Sequence, residues 1–325
     1  MKNCYILNKR KNTILFRGKQ NMEREFVEFP VSRSDRFVNH FVKLALLMRG
    51  SGKLFSSAKT ASEYLQKGSG KSRSLELCGR YPCRAFQKTL CGLECAVFEP
   101  FGEECEARVL FFHGGAYVRR MTEHHIKTLA ALCAKSGAQI IAPCYPTAPE
   151  YNFSQSIEAL AKLYESVCAD KKGIILSGDS CGAAIAVCLN GEIAKRGLPD
   201  CKKLLLFSPL LSHDICNAET AELAAVDPMF CGTEGLKLFI DVWSAGNDLA
   251  EPFKTDVRLL APTYIFTSSC DMLSVGCRRF FEKAAAAGAK ITAESYEGMF
   301  HDYFLYPLSC SKELLKKSAA LIREE

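Results

Sequence analysis

Residues 173–189 constrain the fold of this chain more than any other stretch. An apolar run meets Gly178-Asp179-Ser180-Cys181-Gly182 and continues into a run of small residues, 183–189. A strand that turns within a few residues into a helix brings its backbone against its neighbours, and glycines flanking the turn permit that approach. The serine between them is then held strained, with its hydroxyl exposed at the carboxyl edge of a sheet. The G-x-S-x-G spacing alone is only moderately specific; an apolar strand before it and a helix after it make it strong.

Around this turn the chain alternates. Strands are predicted over 83–89, 93–98, 108–112, 139–143, 173–177, 203–207, 263–267 and 290–296, with helices over 122–135, 155–169, 181–194 and 277–287 between most of them. That rhythm argues an α/β fold, a mostly parallel eight-stranded sheet with helices on both faces. It is interrupted over 211–262 by helical segments with weak strand signals, which read as an insertion. Upstream, a helix over 34–48 places Phe37, Val38, Phe41, Val42, Ala45 and Leu46 on one face, an apolar stripe that has either the body or a pocket to cover. Gly70-Lys71-Ser72 resembles the end of a phosphate loop, but Leu65 stands where such a loop needs glycine and no strand precedes it.

With 325 residues and 48% apolar content the chain can bury a large core, which rules out disordered and collagen-like classes. Its longest apolar runs fall far short of the roughly 18 residues of a membrane span, so a soluble protein is expected. The net charge of +6 comes from the first 21 residues, which hold six basic side chains and no acid; the rest carries 36 of each sign. A neutral body with a basic tip is a poor nucleic-acid footprint, and the tip lacks the apolar core of a secretory signal. Residues 1–21 are expected to be a disordered tail, or to lie upstream of a true start at Met22. Seventeen scattered cysteines without paired spacing read as small buried hydrophobes in a reducing compartment, hence a cytoplasmic location.

Chemistry concentrates at the strand ends. Strand 108–112 runs into His113-Gly114-Gly115-Ala116-Tyr117, where glycines let backbone N–H groups face a ligand. The N–H groups of Gly114, Gly115 and Cys181 are the expected donors to a developing oxyanion. A serine hydroxyl needs a histidine to take its proton and an acid to hold that histidine's tautomer. In hydrolases of this strand–turn–helix type the order is Ser, acid, His, and only His213 and His301 follow Ser180. His301 lies on a loop after strand 290–296, whereas His213 opens the insertion; Asp271 follows strand 263–267 on the same edge. Ser180, Asp271 and His301 are therefore the expected catalytic set. His113 is expected to fix the glycine loop through hydrogen bonds, and Asp179 and Glu150 to be buried carboxylates bracing loops. His124 and His125 are about 100° apart on a helix, unsuited to one metal, and neither metal nor cofactor is expected.

These residues resemble the hormone-sensitive-lipase-like branch of the α/β-hydrolase superfamily, which includes acetyl esterases and arylacetamide deacetylases. The likeness covers roughly residues 80–320. It rests on His113-Gly114-Gly115-Ala116-Tyr117, Tyr145-Pro146-Thr147-Ala148-Pro149-Glu150, Gly178-Asp179-Ser180-Cys181-Gly182-Ala183, Asp271-Met272-Leu273 and Gly298-Met299-Phe300-His301-Asp302-Tyr303-Phe304, in family order. It implies an α/β-hydrolase catalytic domain over 76–325, with a helical cap built from 22–75 and from the insertion 212–258. The chain departs from the family at Cys181 and Ala183, where G-D-S-A-G-G is usual, and at Val275, where a second acid often stands. A thiol at Cys181 is a small residue tolerated at a helix start, or one that narrows the pocket and sensitises the site to thiol reagents.

The function so implied is a serine carboxylesterase that hydrolyses short acyl, acetyl-type esters through an acyl-enzyme. The alternatives are an amidase or deacetylase with the same triad, and a small-molecule-binding relative that has lost its chemistry, against which His301 argues. The expected partner is a small-molecule ester, with no nucleic acid and no stable membrane association; a homodimer is left open.

Overall fold

The computed structural model describes residues 5–8, 13–16, 25–67, 77, 80–102, 107–168 and 173–324. Their centre is one sheet in the order β1-β2-β3-β11-β10-β9-β8-β6-β7-β5-β4. Here β1 is Tyr5–Asn8, β2 Thr13–Phe16, β3 Glu25–Phe29, β4 Arg84–Leu90, β5 Leu93–Glu99 and β6 Ala107–Phe112. The remaining strands are β7 Gln139–Pro143, β8 Gly173–Asp179, β9 Lys203–Phe207, β10 Thr263–Ser268 and β11 Ile291–Tyr296. From β3 through β7 every neighbouring pair is parallel, while β4, β5, β1 and β2 join antiparallel. The β4–β5 hairpin turns on Cys91 (φ 48°) and Gly92 (φ 80°). Two successive left-handed residues are what a two-residue type I′ turn requires.

Strand alternation divides the core. On β6, Leu110 and Phe112 face a layer containing α4 (Phe153–Cys168), α5 (Ser180–Arg196) and α8 (Ser274–Ala286). Val109 and Phe111 face the opposite layer, with α3 (Glu123–Ser136) and α9 (Ser309–Arg323). Both faces of the central strands are covered, which is why they read as continuous apolar runs. The described cysteines are all free thiols. None of the described helices is long and apolar enough to cross a membrane.

The eight strands expected from sequence are β4–β11. Three more precede residue 30: β1 and β2 fall where a disordered tail was expected, and β3 where cap helices were. Glu25-Phe26-Val27-Glu28-Phe29 breaks period-two alternation at the adjacent Phe26 and Val27, so each face carries a glutamate and the local signal is weak; the partner that stabilises the strand is β11, far along the chain. The rest of residues 1–24 and most of 68–79, including the discarded Gly70-Lys71-Ser72, lie outside the described residues.

Helices α1 (Arg33–Arg49) and α2 (Ala58–Gln66) follow β3, with a short helix Ser51–Phe55 between them. Asp35 of α1 accepts the N–H groups of Ser309 and Cys310 at 2.8 and 3.1 Å, docking α1 on the start of α9. Carboxylates are favoured there because the first turn of a helix leaves N–H groups unpaired. The apolar stripe expected to be covered is instead largely open: Phe37, Val38 and Phe41 are exposed and Leu46 is buried. The polar anchors Asp35 and Asn39 set the orientation of α1, so its body-facing side is not its most apolar one. In the insertion, α6 (Ala218–Val226) and α7 (Glu234–Ser244) lead to three short helical turns. Helix α7 packs on the segment Ser51–Phe55 through Phe239 and Phe55, so both parts of the expected cap meet.

Candidate active site

Strands β6, β8, β10 and β11 are parallel, so their carboxyl ends share one edge of the sheet, and the motif residues gather there. Ser180 is the first residue of α5 with φ 52°, a left-handed conformation that costs a non-glycine residue roughly 1–2 kcal/mol. The turn is held by crowding. A Cβ on Gly182 would lie 2.0 Å from the Phe112 carbonyl oxygen, so only glycine lets α5 approach β6 this closely. Ser180 is 7% exposed.

The Oγ of Ser180 lies 3.0 Å from Nε2 of His301, and Nδ1 of that ring lies 3.0 Å from Oδ2 of Asp271. Asp271 is fully buried, and its other oxygen accepts the Leu273 N–H at 2.8 Å. An Nδ1–H donated to Asp271 leaves Nε2 as the ring nitrogen turned toward the serine hydroxyl. The three residues selected from chain order and strand ends are thus one hydrogen-bonded relay.

The loop after β6 departs in part from expectation. Gly115, Ala116 and Tyr117 have φ of 122°, 54° and 65°, three successive positive values. Ala116 and Tyr117 are the central residues of a turn closed by the Val118 N–H on the Gly115 carbonyl, and successive N–H groups in a turn form a concave nest suited to an anion. The Gly114 N–H, expected to point at the oxyanion, donates instead to Oδ1 of Asp179 at 2.9 Å. Gly115 and Ala116 have no acceptor for their N–H groups among the described residues, nor does Cys181 in the first turn of α5. The unpaired donors are therefore shifted by one residue from the expected glycine pair. Tyr117 donates its N–H to Sγ of Cys181 at 3.2 Å, so the thiol anchors this loop. Burial pushes that thiol up to about 12, which keeps it protonated and poorly nucleophilic.

Polar braces hold the loop from behind. Nδ1 of His113 lies 2.7 Å from the Gly114 carbonyl, and burial pushes this imidazole down to about 4, so Nδ1–H of a neutral ring donates. Tyr145 stacks on His113 and donates its hydroxyl to the His113 carbonyl at 2.7 Å. The Ala148 N–H donates to the Tyr117 carbonyl, so the Tyr145–Ala148 motif is a scaffold for the nest. Asp179 is fully buried and bridges Gly114 to Nε2 of His125, 3.1 Å away. His125 was not anticipated; its Nδ1 accepts the Thr122 N–H, which closes the cap of α3. His124 instead packs against Tyr306, with the ring centroids 5.2 Å apart and the planes tilted by 30°, so the adjacent histidines serve different partners. Glu150 is exposed, not buried as expected, because the chain turns outward after Ala148.

The cap roofs the site. The Phe230 ring lies 4.8 Å from that of His301 and 5.2 Å from that of Phe55, bringing insertion and N-terminal segment together over the imidazole. Trp243 stacks on Tyr117 at 4.8 Å with the rings 6° from parallel. His213, the other histidine after Ser180, lies 3.3 Å from the Tyr117 hydroxyl and away from the relay, with burial pushing it down to about 4. Sequence reasoning missed Asp227, a buried cap residue whose Oδ2 accepts the His301 N–H at 3.2 Å. Burial, reinforced by Asp271 and opposed by His301, pushes its carboxyl up to about 7. Burial alone would lower the His301 imidazole, but Asp271 and Asp302 more than reverse this and hold it well above its ordinary range.

This geometry agrees with what comparison finds. Over 221 residues the chain is 27% identical to an esterase of Acinetobacter venetianus, spanning 63% of this chain and 72% of that one. Over 206 residues it is 28% identical to an acetyl-hydrolase of Streptomyces hygroscopicus, spanning 61% and 68% respectively. Its fold matches a crystal structure of an esterase from the bacterial hormone-sensitive lipase family with a TM-score of 0.72 at 19% identity, over 87% of this chain and 97% of that one. Residues 109–305, which span the nest, the nucleophile turn and the His301 loop, match the family described as alpha/beta hydrolase fold, and the chain belongs to that family.

Proposed function

We propose that the protein is a serine carboxylesterase that hydrolyses short acyl esters of the acetyl type. The observation that carries this reading is the pair of 3.0 Å contacts joining Ser180 to His301 and His301 to Asp271. Ser180 Oγ attacks the ester carbonyl while Nε2 of His301 takes its proton, and the carbonyl oxygen becomes an oxyanion held by the N–H groups of Gly115, Ala116 and Cys181. His301 returns the proton to the leaving alcohol as the C–O bond breaks, leaving acyl-Ser180. Water, deprotonated by the same imidazole, then releases the carboxylic acid and restores Ser180. The esterase and acetyl-hydrolase names of the relatives support the ester and the short acyl group. The aromatic roof of Phe230 and Phe55 over His301 also supports a small acyl group.

The test is hydrolysis of p-nitrophenyl acetate, butyrate and octanoate by wild type and Ser180→Ala, beside the matching anilides. Acetate and butyrate are expected to be preferred, the anilides to be poor, and the variant to lose about 10⁴-fold or more in kcat. Equal turnover by wild type and variant would overturn the nucleophile; better anilide than ester turnover would move the reading to an amidase.

A further inference from the structure

The relay accounts for one carboxylate on His301, yet a second reaches the same ring. Oδ2 of Asp302 lies 3.1 Å from Nε2, the nitrogen that also faces Ser180. Asp302 is held in place: its N–H donates to Oγ of Ser208 at 3.1 Å, and its backbone is left-handed at φ 56°. Its Oδ1 is buried with no hydrogen-bond partner. A carboxylate this close to an imidazole lone pair is repulsive when both are unprotonated, and one proton between them removes the repulsion whichever atom carries it. That proton occupies the lone pair that must receive the serine proton.

We propose that Asp302 and His301 share a proton at Nε2 in the resting enzyme, so that Ser180 is activated only after this proton has left to solvent, and that Asp302 thereby sets the acid limit of activity. The inference rests on the serine-relay reading above. The other charged groups act from elsewhere: Asp271 at Nδ1, and Asp227 from the cap at the His301 backbone. Asp302 is itself flanked electrostatically by Asp179, His125, Cys181 and Tyr306. Of these carboxylates only Asp302 meets the nitrogen that does the chemistry. Burial, partly offset by His301, pushes its carboxyl up to about 6, in keeping with a proton retained in this pair. Asp302 is a positioning residue here, acting through His301.

The experiment is the pH dependence of kcat/KM for p-nitrophenyl acetate in wild type, Asp302→Asn, Asp302→Gly and Ser180→Ala. The asparagine keeps the shape without the charge, and glycine suits the positive φ if the asparagine variant fails to fold. In both, the acid limb is expected to move at least one unit to lower pH, tenfold in relative activity below the wild-type limb. The pH dependence of sulfonylation of Ser180 by phenylmethanesulfonyl fluoride should move with it, since that readout does not depend on how an ester sits. A merely structural role would lower the plateau and leave the limb midpoint in place. Limbs superimposable on wild type, with Ser180→Ala inactive, would overturn the inference alone; turnover surviving in Ser180→Ala would overturn the relay and the inference with it.

Discussion

Asp179 supports a prediction that separates its geometry from its charge. Its two oxygens accept from two buried donors, the Gly114 N–H at 2.9 Å and Nε2 of His125 at 3.1 Å. Because Nδ1 of His125 accepts the Thr122 N–H, a neutral ring carries its proton on Nε2. Both contacts therefore need an acceptor. Asparagine offers one oxygen and one NH₂ group, so in either flip one buried donor faces another donor. Leaving such a donor unpaired costs about 1–3 kcal/mol, and losing the charge assistance brings the expected cost of Asp179→Asn to about 3 kcal/mol. Asp179→Ala strands both donors and, at about 1–3 kcal/mol each, should cost about 2–6 kcal/mol. Urea unfolding of the three proteins measures these differences. The loop that Gly114 anchors carries the proposed oxyanion donors, so the folded asparagine variant should also lose about 10²–10³-fold in kcat. An Asp179→Asn protein within about 0.5 kcal/mol of wild type and with unchanged kcat would refute this account of the nest.

Gly182→Ala would put a methyl group 2.0 Å from the Phe112 carbonyl oxygen, whereas the same change at Gly191 meets only the Thr255 methyl at 3.6 Å. Thermal unfolding should show the first severely destabilised and the second near wild type; comparable losses would contradict the close approach of α5 to β6. The carboxyl of Asp227, raised to about 7 when folded, titrates near 4 in an unfolded chain. Between those values the folded protein keeps a proton that the unfolded chain has released, so this group's contribution to stability is present at low pH and is lost as pH rises through about 7. Asp227→Asn stays neutral throughout, so its stability relative to wild type should rise between about pH 4 and 7. Parallel stability–pH curves for the two proteins would exclude that behaviour.

What could be read from the sequence was local. The strand, turn and helix around Ser180 are written in apolar runs and glycine spacing, strands β4–β11 in short apolar or alternating runs, and the helices between them in period-3.6 patterns, all bounded by turn residues. The order of Ser180, Asp271 and His301 with respect to parallel strand ends was enough to select three residues that meet in space. What only the tertiary structure decided concerns partners far apart in the chain. Asp179 takes the Gly114 N–H across 65 positions and moves the free donors to Gly115 and Ala116. Asp227 reaches the His301 backbone across 74, and His125 reaches Asp179 across 54. Strand β3, invisible in five residues without a clean alternation, exists because β11 offers it an edge. Periodicity and turn chemistry reflect interactions within a few residues; which acceptor claims a buried N–H, or which carboxylate meets an imidazole, is settled when packing brings distant segments together and each buried polar group must find a partner.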